Sequence, residues 1–264
     1  MPDVTSKDGT RIAYEALGVG PPLILVDGAL CYRASGPSRP LAEQLKDRFT
    51  VYIYDRRGRG ESGNTLPYAP EREVEDIEAL IAAAGGSALL YGISSGGVLA
   101  LEAANRSNGV TGLFVYEAPL IVDDSRVLSP GYADRMAALV AADRRGEALK
   151  HFMRTGVGLP AFMVFIMQLM PMWTTLKGVA PTLAYDTALT APLQQGRPLP
   201  PSRWSVVGVP AKIVGGTKSD AWMRNAQKAI AAILPDARHA ELEGENHMVK
   251  PEKIAPMIKE FFAA

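Results

Sequence analysis

Short apolar runs alternate along this chain with longer stretches of helical period. Strand-like runs are predicted at Arg11–Ala16, Leu23–Val26, Phe49–Tyr54, Ala88–Tyr91, Gly112–Tyr116, Ala211–Val214 and His239–Leu242. Several are apolar at nearly every position, the mark of parallel strands buried on both faces. Between them the spacing of apolar residues predicts helices over Glu71–Ala84, Gly97–Asn105, Ala221–Ile233 and Pro251–Phe262. Alternating β and α elements over this length imply a doubly wound, mostly parallel α/β sheet. Ligands of such sheets bind beyond the carboxyl ends of the strands. The loops after Val26, Tyr91 and Tyr116 all fall at that edge.

One stretch breaks the alternation. From Ile121 to Trp204 no strand pattern is visible, the period is helical, and the exit Arg197-Pro198-Leu199-Pro200-Pro201 is rich in proline. The stretch reads as a helical cap over residues 121–204, inserted into a core made of residues 1–120 and 205–264. It is also rich in methionine (Met153, Met163, Met167, Met170, Met172). Flexible apolar side chains beside a site point to an adaptable pocket, so Met163 and Met167 are expected to line it, with Trp173 and Tyr185 on the cap side. Trp204 is assigned to the same wall, Met248 and Cys31 to the core side.

Composition narrows the picture. The chain has 264 residues, 47% hydrophobic and 21% charged, with 28 Lys+Arg against 28 Asp+Glu. It is long enough for a large core, and a net charge of zero favours neither nucleic acid nor an anionic membrane as partner. A single cysteine, Cys31, excludes an intrachain disulfide and fits the reducing cytoplasm. The first residues contain no apolar segment of signal-peptide type. The longest apolar run, Ala161 to Met172, is too short to span a bilayer and is interrupted by Gln168 and Pro171. No spacing of histidine, cysteine or carboxylate suggests a metal, and no glycine-rich turn suggests a dinucleotide. No cofactor is expected.

The chemistry concentrates in Gly92-Ile93-Ser94-Ser95-Gly96, a G-x-S-x-G sequence between an apolar run and a helical one. A serine on such a strand-to-helix turn exposes its Oγ, and the next amide, that of Ser95, opens a helix and points at an oxyanion formed on that serine. Ser94 has glycine at both −2 and +2, whereas Ser95 has Ile93 at −2. Ser94 is therefore the candidate nucleophile and Ser95 a candidate oxyanion donor. A serine needs a base. His247 follows Glu243-Gly244-Glu245-Asn246 in a loop after the last strand run, from which it can reach back over the turn. His239 opens that strand and reads as structural; His151 reads as a solvated helix residue.

These residues, with Asp27-Gly28-Ala29 and Asp55-Arg56-Arg57-Gly58-Arg59-Gly60-Glu61-Ser62, make the chain resemble the α/β-hydrolase superfamily over nearly its whole length outside the cap. The resemblance implies an eight-stranded sheet with the cap after strand six, and a Ser-acid-His triad in that chain order. It also implies an oxyanion hole shared between two loops: Ser95 with Ala29, or less favourably Gly28. Members often carry His-Gly where this chain has Asp27-Gly28. The arginine-rich stretch is expected to be a structural turn rather than an anion site.

The triad acid has two candidates. The family's usual place is the turn Gly215-Gly216-Thr217-Lys218-Ser219-Asp220, where the expected position holds Ser219 and Asp220 comes one residue late. Asp220 also reads as a helix N-cap. Some members place the acid just after strand six, where this chain has Glu117. Glu117 is preferred, with Asp220 as the alternative. The resulting expectation is a cofactor-independent serine hydrolase of apolar carboxylic esters or lactones, monomeric or homodimeric. Carbon–carbon bond hydrolysis or perhydrolysis on the same triad, or a hydrolase-fold binding protein with little turnover, are the alternatives.

Overall fold

The structure is a computed structural model that describes residues 2–263. Eight strands form one sheet in the order β1-β2-β4-β3-β5-β6-β7-β8. They are β1 (Asp3–Thr5), β2 (Arg11–Leu17), β3 (Pro22–Val26), β4 (Thr50–Tyr54), β5 (Ala88–Ile93), β6 (Val110–Tyr116), β7 (Ala211–Gly216) and β8 (Ala237–Leu242). β2 runs antiparallel to β1 and β4, and the remaining pairs are parallel. The sheet is thus doubly wound, as its sequence pattern implied. β1, three residues long, carries too little pattern to be read from sequence.

The apolar runs feed two layers because alternate residues of a strand face opposite ways. Ile24, Val26, Leu90, Leu113 and Ile213 join one buried cluster with α2 (Pro70–Ala83), α3 (Ser95–Arg106) and α9 (Ala221–Ile233). Their neighbours Leu23, Leu25, Tyr91, Phe114 and Val214 join a second, with α1 (Ser38–Leu45) and α10 (Pro251–Ala263). The α1 helix was missed in the sequence because Pro40 interrupts its eight residues. β8, at the edge, is half exposed, and His239 sits there as a surface residue.

Between β6 and β7 the chain forms α4 (Tyr132–Ala141), α5 (Arg145–His151), α6 (Ala161–Gln168), α7 (Met172–Val179) and α8 (Leu183–Thr190). Met136, Leu139, Leu149, Trp173 and Leu183 pack together with Leu30 into a third apolar cluster. This layer is not detached from the rest. Leu189 near the end of α8, and Leu193 and Trp204 beyond it, belong to the sheet-side cluster. Trp204 therefore does not face a pocket: its indole is buried and Nε1 donates to Glu102 Oε1 at 2.9 Å. His151 is packed rather than solvated, with Nε2 3.1 Å from the Tyr132 carbonyl and its ring 4.9 Å from that of Tyr132.

Candidate active site

The turn after β5 is held by contact distances that exclude side chains. A Cβ on Gly92 would lie 2.5 Å from the Gly96 carbonyl, and one on Gly96 would lie 2.1 Å from the Val26 carbonyl. Ser94, between them, has φ 57° and ψ −132°, a conformation non-glycine residues seldom adopt. Its N–H donates to the Tyr116 carbonyl at 3.0 Å, and α3 begins at the next residue. The first amides of a helix have no partner within it, so the Ser95 N–H is available at the helix's positive end.

Glu117 leaves β6 at the same level. Ile93 and Tyr116 are paired across the β5–β6 ladder, so the residues that follow them emerge side by side. Glu117 also has a positive φ, 48°. Its carboxylate is fully buried and fully partnered. Oε1 accepts from the Gly216 N–H at 2.7 Å and from the Ser219 hydroxyl, and Oε2 lies 2.9 Å from His247 Nδ1. Asp220 is exposed at the N-cap position of α9, and its Oδ2 accepts from Trp222 Nε1 at 3.3 Å. Ser219, at the place where the family pattern calls for an acid, contributes a hydroxyl to Glu117 instead.

The loop after β3 packs against Ser94. A Cβ on Gly28 would sit 2.8 Å from Ser94 Cβ. The arginines of the Asp55–Ser62 stretch turn inward and fix that loop by its carbonyls. Arg56 Nη1 donates to the Asp27 carbonyl at 3.1 Å, and Arg59 Nη1 donates to those of Gly28 at 2.7 Å and Cys31 at 3.1 Å. With the carbonyls engaged on one side, the amides of this loop are turned the other way. Each arginine is neutralised: Arg56 by Glu73, Arg57 by Asp76 and Asp8, and Arg59 by Asp186. The stretch is a structural turn.

Asp186, on α8, joins the cap helices to this arrangement. Its Oδ1 accepts from Arg56 Nη1 at 2.8 Å and from Ser95 Oγ at 2.7 Å, and its Oδ2 from Arg59 Nη2 at 2.6 Å. Burial alone would raise the Asp186 pKa. The guanidiniums of Arg59 and Arg56 outweigh burial and hold it below the usual carboxylate value. The one local sign of this residue in the sequence is an aspartate in the apolar helical run Leu183–Leu189. Asp27, directly before Gly28, is the opposite case. Burial dominates over its bond to Ser38 and pushes its pKa from 3.8 up to about 6.

Ser94, Ser95, Ala29, Glu117 and His247 all line one cavity of about 360 Å³. Of the residues expected on its walls, Met248 is there. Cys31, Met163, Met167, Trp173 and Tyr185 are not. Met163 and Met167 lie on α6, where Met163 turns outward with Phe162 and Phe165, 66% and 62% exposed, and Met167 packs with Val164 against the cap's own core. Trp173 is consumed by the cap's own core. Tyr185 stacks on Tyr68, ring centroids 3.8 Å apart, and its hydroxyl donates to Asn64 Oδ1 at 3.0 Å. Burial pushes the Cys31 thiol up to about 12, which removes it as a nucleophile. The walls are more mixed than expected: Tyr132, Phe152 and Val157 alternate with Thr187, Gln194 and Arg126. Among the described residues no cluster of side chains forms a metal site.

A family model for the alpha/beta hydrolase family matches residues 20–256. The chain belongs to the alpha/beta hydrolase family. An alpha/beta hydrolase of known structure from Sphaerobacter thermophilus is 46% identical, with a TM-score of 0.90 over 99% of this chain and 100% of that one. The enol-lactonase from Burkholderia xenovorans superposes with a TM-score of 0.70 over both whole chains at 20% identity, which shows the shared fold alone. A pimeloyl-[acyl-carrier protein] methyl ester esterase from Xylella fastidiosa is 39% identical over 105 residues, 39% of each chain. The chain thus matches about two-fifths of the length of the curated relatives.

Proposed function

We propose that this hydrolase cleaves carboxylic esters or lactones through an acyl-enzyme on Ser94. His247 removes the Ser94 proton as the hydroxyl attacks the carbonyl, and Glu117 is the triad acid. The carboxylate beside Nδ1 keeps that nitrogen protonated, leaves Nε2 free to accept the proton, and stabilises the imidazolium that forms. The amides of Ser95 and Ala29 receive the oxyanion; such donors are worth roughly 3–4 kcal/mol each in the transition state. The same histidine protonates the leaving alkoxide and then activates the water that releases the acid.

The observation that carries the reading is the 2.9 Å contact between His247 Nδ1 and a buried Glu117 in the cavity that Ser94 opens into. The esterase relative, 39% identical over the matched residues, supports ester hydrolysis. Labelling by a fluorophosphonate, followed by peptide mapping, tests the nucleophile. Ser94 is expected to carry the adduct, and Ser94→Ala is expected to abolish both labelling and hydrolysis of p-nitrophenyl esters. Labelling elsewhere, or an active Ser94→Ala variant, refutes the reading. A panel that adds a lactone and a β-diketone separates ester from carbon–carbon bond cleavage.

A further inference from the structure

The wall of the cavity above Ser94 carries a cation, Arg126, that forms no ion pair among the described residues. Arg126 lies in the segment between β6 and α4. Its Nη2 donates to the carbonyls of Thr155, at 3.4 Å, and Gly156, and its guanidinium lies 4.2 Å from the centre of the Trp222 ring. These contacts fix the guanidinium plane. They use donors on one nitrogen of three, in a group that offers five. Among the described residues no ion pair joins it. Burial lowers its pKa even though Asp220 works the other way.

The acids nearby are committed elsewhere. Glu117 is engaged with His247, and Asp186 with Arg56 and Arg59. Asp220 is exposed and forms no ion pair with Arg126, and Lys218 adds a second positive charge to the same wall. The Arg126 charge is left over, partly desolvated, facing the space that opens on Ser94. A desolvated cation gains most from an anion, and a charge-assisted bond is about twice as strong as a neutral one.

We propose that Arg126 receives a carboxylate of the substrate, so that the preferred ester or lactone bears an acid group on its acyl part, away from the scissile carbonyl. One desolvated cation matches one negative charge, which favours a carboxylate over a phosphate dianion. Tyr132, Phe152 and Val157 supply the apolar surface for the chain between the two ends. This inference rests on the serine-hydrolase reading.

The test compares mono-p-nitrophenyl esters of four- to eight-carbon dicarboxylic acids with p-nitrophenyl esters of the matching monocarboxylic acids. In the wild type, kcat/KM for the acid-bearing ester is expected to exceed that of its neutral counterpart at one or more chain lengths, by roughly tenfold to a hundredfold. In Arg126→Met that ratio is expected to fall to near one, chiefly through KM, with Arg126→Lys between. A wild type without preference at any length, or an unchanged ratio in Arg126→Met, overturns the proposal. Should no ester be turned over and Ser94 resist labelling, the hydrolase reading fails by itself. Calorimetric binding of adipate then decides the role of Arg126: affinity in the wild type and loss in Arg126→Met support it, and equal or absent binding overturns it.

Discussion

Replacing Asp186 with alanine strips one carboxylate from three donors: Arg56 Nη1, Arg59 Nη2 and Ser95 Oγ. The two arginines are not equally affected. Arg56 keeps Glu73, which it grips through Nε at 2.7 Å and Nη2 at 2.8 Å. Arg59 keeps only neutral acceptors: the Gly28 and Cys31 carbonyls and the Thr182 hydroxyl at 3.1 Å. The variant therefore buries one uncompensated guanidinium, and removing one partner of a buried ion pair costs about 3–5 kcal/mol. Against a total stability of about 5–15 kcal/mol, that is a large fraction. Urea denaturation followed by tryptophan fluorescence measures it directly. Because the penalty belongs to the stranded Arg59, the double variant Asp186→Leu with Arg59→Met is expected to recover stability relative to Asp186→Ala. A single variant within about 0.5 kcal/mol of wild type, the range of neutral surface changes, would refute the reasoning. So would a double variant no more stable than the single one.

Glu117→Gln is expected to lower kcat by roughly 10⁴ with an unchanged melting temperature, as loss of a triad acid does, while Asp220→Asn retains most activity; stopped assays on p-nitrophenyl esters distinguish the two. Asp27 links stability to pH. Its folded pKa, about 6, lies above its ordinary 3.8, so its stabilising contribution is complete below pH 3.8 and is lost as pH rises through about 6. Asp27→Asn is expected to flatten that part of the stability profile and to be the more stable protein at pH 8, by at most about 3 kcal/mol at 1.36 kcal/mol per pH unit. Equal profiles from urea titrations at pH 4 and pH 8 contradict the assignment. Gly28→Ala places a methyl 2.8 Å from Ser94 Cβ. It is expected to reduce kcat by about 10²-fold or more, as misplacement of a reacting group does, and normal turnover in this variant would show that the loop is not pressed against the serine.

The parallel strands and the turn at Ser94 were legible because each leaves a local mark. β3, β5 and β6 are apolar at successive positions, and Gly92 and Gly96 bracket the serine. Glu117 was legible as a charge at the end of an apolar strand. Its partners were not, because the Gly216 amide and Ser219 hydroxyl lie about a hundred residues away and are brought to it by the β6–β7 pairing. Asp186 has the same difficulty, since its charge is answered from 127 and 130 residues earlier in the chain. The methionines of α6 misled for a different reason. Helical period gives an apolar face but not its direction, and here the face of α6 that holds Phe162 and Phe165 turns outward. The cavity took its apolar surface from Tyr132 and Phe152 instead.

The β5–β6 register has a consequence for how the molecule fails. Ser94 and Glu117 hang from one hydrogen-bonded ladder in the middle of the sheet, while His247 sits in a loop beyond the edge strand β8, flanked by exposed Asn246 and Met248. Local opening begins where backbone is exposed and contacts are few. The loop is tied back chiefly by the Tyr116 hydroxyl to the Asn246 carbonyl, by the Lys218 amide to the Glu245 carbonyl and by His247 to Glu117. On gentle heating, activity is therefore expected to fall before the ladder melts and to return on cooling; coincident activity and fluorescence transitions would contradict this. On that expectation, durability at working temperature depends on the few contacts that hold the His247 loop, and a stronger core does not lengthen it.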